Sequence, residues 1–130
     1  MASHEAQNML QIAKADLETA IASTDPRIFR EIAWGFWLQQ SVEKALKAWL
    51  LELGDTPPLS NDLTRLFKLL LEKNIEIAKF LELDQLTDYA VQFRYDADPT
   101  PLGLDRIALN RQVQDLIDQV EAVVTGSTMC

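Results

Sequence analysis

QQSVEKALKAWL, residues Gln39–Leu50, decides the fold, because it reads as the second half of a long helix. Gln40, Glu43, Lys44 and Lys47 fall at i, i+3, i+4 and i+7, so an amide, a carboxylate and two ammonium groups share one face. That face suits an anion. Upstream, Ile32-Ala33-Trp34-Gly35-Phe36-Trp37-Leu38 is apolar around most of the helix circumference and needs cover on more than one side. A central helix, or one shared with a second subunit, meets that need. Asp25 is the expected cap and Pro26 the expected first helical residue, since proline loses nothing there by lacking an N–H. Gly54 can take the left-handed conformation that ends the helix after Leu53. Such a helix has roughly 27 residues and is about 40 Å long.

Working outward, helix follows helix. Glu5 to Ala22 places Met9, Leu10, Ala13, Leu17, Ala20 and Ile21 on one stripe. Pro57 and Pro58 make a stiff turn, and Ser60 is the expected cap of a third helix, Asn61 to Lys73, with Leu63, Leu66, Phe67 and Leu70 inward. Asn74 to Leu83 allows a short helix without secured ends. Asp84 is then the expected cap of LTDYAVQFRYD, Leu86–Asp96, in which Leu86, Ala90 and Phe93 form the inward stripe and Thr87, Val91 and Arg94 the neighbouring one. Pro99 and Pro101 stop this helix by Asp98. Thr100 and Pro101 are expected to launch the last helix, where Leu109, Val113, Leu116, Val120 and Val123 keep a 3, 4 spacing, and residues 125–130 read as a frayed end. There is no strand-like alternation, internal repeat or linker. The expectation is an all-α, up-and-down bundle of four main helices plus a short extra one, in a single domain over residues 1–130.

Composition narrows the function classes. A chain of 130 residues buries roughly two thirds of its unfolded surface, and 48% hydrophobic with 25% charged residues is ordinary globular composition. The net charge of −8 repels long polyphosphates. Only residues 26–53 are net basic, which suits a small anion or an acidic partner better than a nucleic-acid polymer. Cys130 is the sole cysteine and His4 the sole histidine, so an internal disulfide is excluded and soft metal ligands are scarce. Glycine-rich phosphate loops, CxxC pairs and ExxH spacings are missing, and no metal or resident cofactor is expected. No apolar run is long enough to span a bilayer, and MASHEAQ lacks a signal peptide's basic start and apolar core, so the expected location is cytoplasmic.

The order of the two decisive pieces, a QQxxEKxLKA helix and then an LTxYAxxxRYD helix, resembles the HEPN family of small all-helical domains, from about Leu10 to Val124. That resemblance links the bundle to nucleotides and RNA. HEPN ribonucleases are similar to one another in an RxxxxH-type motif whose arginine and histidine meet their counterparts across a dimer. Arg94 stands in the arginine's place, but the histidine's place is taken by Pro99, Thr100 and Pro101. Neither proline nor threonine passes protons near neutral pH as imidazole does. Many relatives also have a histidine before the Asp62-Leu63 pair, where this chain has Asn61, which keeps the ability to cap and drops the titration. The resemblance therefore implies the branch without nuclease activity: a homodimeric module that binds a nucleotide, or pairs with a minimal nucleotidyltransferase in a toxin-antitoxin-type system. The transferase of such a system can modify its partner on a tyrosine, and Tyr95 is the candidate here, outside the usual motif.

The candidate ligand or partner site is Gln40, Glu43, Lys44, Lys47, Arg94, Tyr95 and Asp96. The alternative is a divergent RNA-cleaving toxin with Arg94 on the phosphate and Tyr95 or Asp96 in the histidine's role. Structural readings stand beside these. Glu43 and Lys47 also form the ion pair of a solvated helix face, worth about 0.3–0.5 kcal/mol. Arg94 also suits the carbonyl end of a helix dipole. Trp34, Phe36, Trp37 and Trp49 read as core or dimer interface, because no basic residues interleave with Ile32 to Leu38 as a base-stacking platform would require. The apolar surplus of that run predicts a homodimer.

Overall fold

The computed structural model describes residues 4–95, 97 and 100–126. Helix α1 is His4–Ala22, α2 Glu31–Glu52, α3 Leu63–Glu72, α4 Tyr89–Tyr95 and α5 Arg106–Thr125, with a 3-10 helix, Ala78–Leu86, between α3 and α4. The fold is all-α, as the periodicity requires. In α1, Ala6, Leu10, Ala13, Leu17 and Ala20 are buried at alternating 4 and 3 spacings. The alanines let α2 approach closely enough for Ser41 Oγ to donate to the Ala13 carbonyl at 2.8 Å.

Helix α2 packs against every other element. Its apolar run is covered from within the chain: Ile32, Trp34, Phe36 and Leu38 are buried, and Ala33 and Trp37 are half-buried. The surplus that pointed to a second subunit is therefore absorbed by α1, α4 and α5, and it no longer argues for a dimer. Gly35 is where α4 comes nearest. A Cβ built there would lie 2.2 Å from Tyr89 Cδ2, so the phenol ring rests on bare backbone.

The ends of the helices differ from expectation in instructive ways. Pro26 does not open α2. Instead the Asp25 carboxylate accepts the Arg27 backbone N–H at 2.9 Å and its carbonyl accepts Ile28 and Phe29, closing a separate turn. Helix α2 starts at Glu31 after an extended Arg30 that offers no side-chain cap, and so has 22 residues. It ends as expected, with Gly54 at φ +88° and the Leu50 and Leu51 carbonyls taken by Asp55 and Gly54. Ser60 is one step removed from capping α3: its Oγ accepts the Asp62 N–H, and Asp62 accepts from Thr64. Asn61 contributes its carbonyl instead, to buried Gln39.

Asp84 lies inside the 3-10 helix rather than at a cap. Three residues per turn put Phe80, Leu83 and Leu86 in line, and all three are buried. That winding turns Tyr89 and Ala90 of α4 inward and leaves Phe93, expected inside, 37% exposed. Helix α5 starts not at Thr100 and Pro101 but at Arg106, where Asp105 accepts the Ala108 N–H. It buries Ile117 and Val124 alongside Leu109, Val113, Leu116 and Val120, with Val123 only partly covered. Thr125 is still helical and Gly126, at φ +74°, terminates it. The remainder of the expected frayed end, residues 127–130, lies outside the described residues.

Candidate functional site

Four of the side chains expected to meet an anion line one open depression of about 510 Å³: Gln40, Glu43 and Lys47 from α2, and Arg94 from the end of α4. Leu59, Ser60 and Asn61 close its rim. The Pro57-Pro58 turn carries that rim, and Gln39, fully buried, secures it by donating to the Asn61 carbonyl at 2.9 Å and accepting from Gln40 at 2.7 Å. Sequence reading missed Gln39. Its signal was an amide on the apolar side of α2 that could be buried only if both its ends were satisfied.

The charges on this face are only partly solvated. Glu43 accepts from Lys47 at 3.0 Å and Lys44 at 3.3 Å, and the three side chains are only 8%, 11% and 21% exposed. Burying charge is costly unless it is paired, so one carboxylate holds two ammonium groups in place. Lys44 does not line the depression; it donates to Gln40 Oε1 at 3.2 Å, and its charge acts on Asp16 of α1. Burial pushes the Asp16 carboxyl above its usual range; the Lys44 charge opposes this and that of Glu43 adds to it. Lys44, Lys47 and Arg94 against Glu43 and Asp16 leave a positive surplus in a molecule of net charge −8. Arg94 forms no ion pair among the described residues, and its guanidinium lies 5.9 Å from the Phe36 ring centroid. Tyr95 is 80% exposed and does not line the depression, and Asp96 lies outside the described residues.

A second constellation, unforeseen from sequence, sits at the start of α2. The buried Glu31 carboxylate accepts the Tyr89 hydroxyl at 2.5 Å and three consecutive backbone N–H groups, from Leu102 at 2.7 Å and from Gly103 and Leu104 at 2.9 Å. Burial alone would raise the Glu31 pKa, but these four bonds outweigh it and hold the carboxyl below the usual range. Burial, the bond to Glu31 and that residue's charge raise Tyr89 in turn. Arg106 braces the same corner, donating to the Thr24 and Phe29 carbonyls above the Trp34 ring. Glu31 thus ties α4 and the loop before α5 to α2, and so sets where Arg94 is presented.

The HEPN domain profile matches residues 6–126, nearly the whole chain. The chain belongs to the HEPN domain family. No curated protein and no solved structure matches it. Within this HEPN domain, the segment that follows Arg94 contains no imidazole: Thr100 and Pro101 line a cleft with Glu31, Tyr89 and Arg106, and Pro99 lies outside the described residues. His4 lines a different depression, beside Gln7, Gln11 and the end of α5. No helix of the described chain is long and apolar enough to cross a membrane.

Proposed function

We propose that this HEPN domain is a binding module without ribonuclease activity. Its Gln40–Lys47–Arg94 depression receives a phosphate-bearing ligand, a nucleotide, or the acidic pocket of a minimal nucleotidyltransferase in a toxin-antitoxin-type pair. One observation carries the reading. Lys47 and Arg94, from helices far apart in the chain, converge on one polar depression, and Lys47 is held there by a buried carboxylate. Arginine and lysine bind phosphate or carboxylate. A second copy belongs to the proposal. Ile28, Phe29, Leu102 and Ile107 are exposed apolar side chains at the corner braced by Glu31 and Arg106, and none of them lines the depression.

The competing reading is a divergent RNA-cleaving toxin using Arg94, with Tyr95 in the histidine's role. Incubation of the purified protein with RNA separates the two. Inert RNA, together with retention of a co-expressed nucleotidyltransferase that Arg94→Ala and Lys47→Ala weaken, is the expected result. Cleavage abolished by Arg94→Ala would overturn the module reading.

A further inference from the structure

A trough that shares no residue with the basic depression runs between α1 and α5. The two helices are antiparallel. Asn110 Nδ2 donates to Thr24 Oγ1 at 2.8 Å near one end, Lys14 pairs with Glu121 midway, and His4 and Thr125 line the other end. Glu121 borders both halves of the trough, of about 270 and 360 Å³. The half nearer Thr24 is built from one pattern used twice. Lys14, Leu17, Glu18 and Ile21 of α1 fall at i, i+3, i+4 and i+7, and so do Gln114, Ile117, Asp118 and Glu121 of α5. That spacing is the face a helix shows to a neighbouring rod. Leu17 and Ile117 are buried in the floor, while Ile21 stays 50% exposed. The rim is acidic. Asp118 accepts the neutral Gln114 amide at 2.9 Å, and neither it nor Glu18 forms an ion pair among the described residues.

We infer that this trough docks a basic amphipathic helix of a partner protein, its aliphatic stripe on Leu17, Ile21 and Ile117 and its lysines or arginines on Glu18 and Asp118. Charge selects the occupant. Both flanking helices are net acidic, so an acidic or nucleic-acid partner is repelled and a basic one attracted. Lys14 shows the geometry in miniature, since an ammonium of the chain itself already crosses the trough to Glu121. Shape selects a helix. A peptide that binds as an added strand needs a sheet edge, and the elements of the described residues are all helical. A third rod laid between two antiparallel ones instead meets both of their i, i+3, i+4, i+7 faces, along about 25 Å of α1. The docking surface is independent of the anion site, which takes the opposite charge.

Fluorescence anisotropy with a labelled helical peptide of about four turns tests this, with leucines at i, i+4 and i+7 and lysines on either side of that stripe. One companion peptide carries glutamates in place of the lysines, another serines in place of the leucines. The leucine–lysine peptide is expected to bind, and each companion to bind at least about tenfold more weakly. Glu18→Lys and Asp118→Lys should each weaken the first peptide by roughly tenfold, because an attraction becomes a repulsion at the rim. Asp115→Lys makes the same charge change on an exposed residue of α5 outside the trough, and should alter binding by less than about twofold. Circular dichroism identical to that of the unaltered protein shows that these surface variants fold. Absence of binding, equal binding of the serine companion, or an equal loss from Asp115→Lys would each overturn the inference, the last two by reducing it to bulk charge attraction.

Discussion

Gly35, Tyr89 and Glu31 act as one device, and each member has its own signature. Adding a methyl at Gly35 places it 2.2 Å from Tyr89 Cδ2, so the ring that Glu31 holds must shift. Gly35→Ala is expected to cost about 1–3 kcal/mol, the usual penalty of overpacking, read as a lower midpoint in urea unfolding. Glu31 should make stability depend on pH. Its folded-state pKa is depressed, so its contribution is complete above the unfolded value of about 4.3 and is lost as pH falls through the lower folded value. Glu31→Gln should therefore lower stability at neutral pH and flatten the fall in stability below about pH 4. An acid limb as steep as that of the unaltered protein would contradict the assignment.

At the scale of elements, what α3 and α4 can do depends on how they are tied at their ends. Helix α3 is short and amphipathic, and its first turn is fastened three ways: Asp62 accepts Thr64, Gln39 holds the Asn61 carbonyl, and Thr87 Oγ1 accepts the Leu63 N–H at 3.2 Å. Asp62→Ala should lose about 1 kcal/mol, whereas Asp62→Asn, which caps equally well, should lose little. Equal losses in denaturant titrations would show that charge, not capping, matters there. Helix α4 has only seven residues and leans on α2 through Tyr89 and Ala90. Such a helix is marginal alone and depends on packing. The position of Arg94 therefore depends on the Tyr89–Glu31 bond.

For the molecule as a whole, charge and oligomeric state decide what it meets. A surface of net charge −8 discourages long polyanions. The proposed second copy has to use surface that the fold leaves uncovered, and Ile107 and Ile28, 64% and 73% exposed, are its most open apolar side chains at the Glu31 corner. Light scattering at micromolar concentration is expected to return twice the 14.7 kDa chain mass, and Ile107→Asp to return it once. A single-chain mass for the unaltered protein would remove the dimer and leave the depression untouched.

Sequence alone determined the helical class and the glycine stop of α2, and left open whether α2 is central or shared with a second subunit, because periodicity reports which face of a helix must be dry but not what covers it, and a glycine can turn where other residues strain. It also placed Gln40, Glu43 and Lys47 on a shared face, since i, i+3 and i+7 positions on one rod need no tertiary knowledge. Where α2 and α5 begin was not legible. Asp25 and Pro26 are good local signals, but Asp25 closed a turn on Arg27, and a carboxylate 71 to 73 residues away in the chain took the N–H groups of the loop before α5. Only tertiary structure decided that Glu43 is buried with its two lysines half-buried around it, that the Lys44 charge acts on Asp16 of α1, and that Phe93 stacks on Phe36 beside Arg94. Those facts depend on which neighbour covers a face and at what distance, and spacing along one helix carries no information about its neighbours.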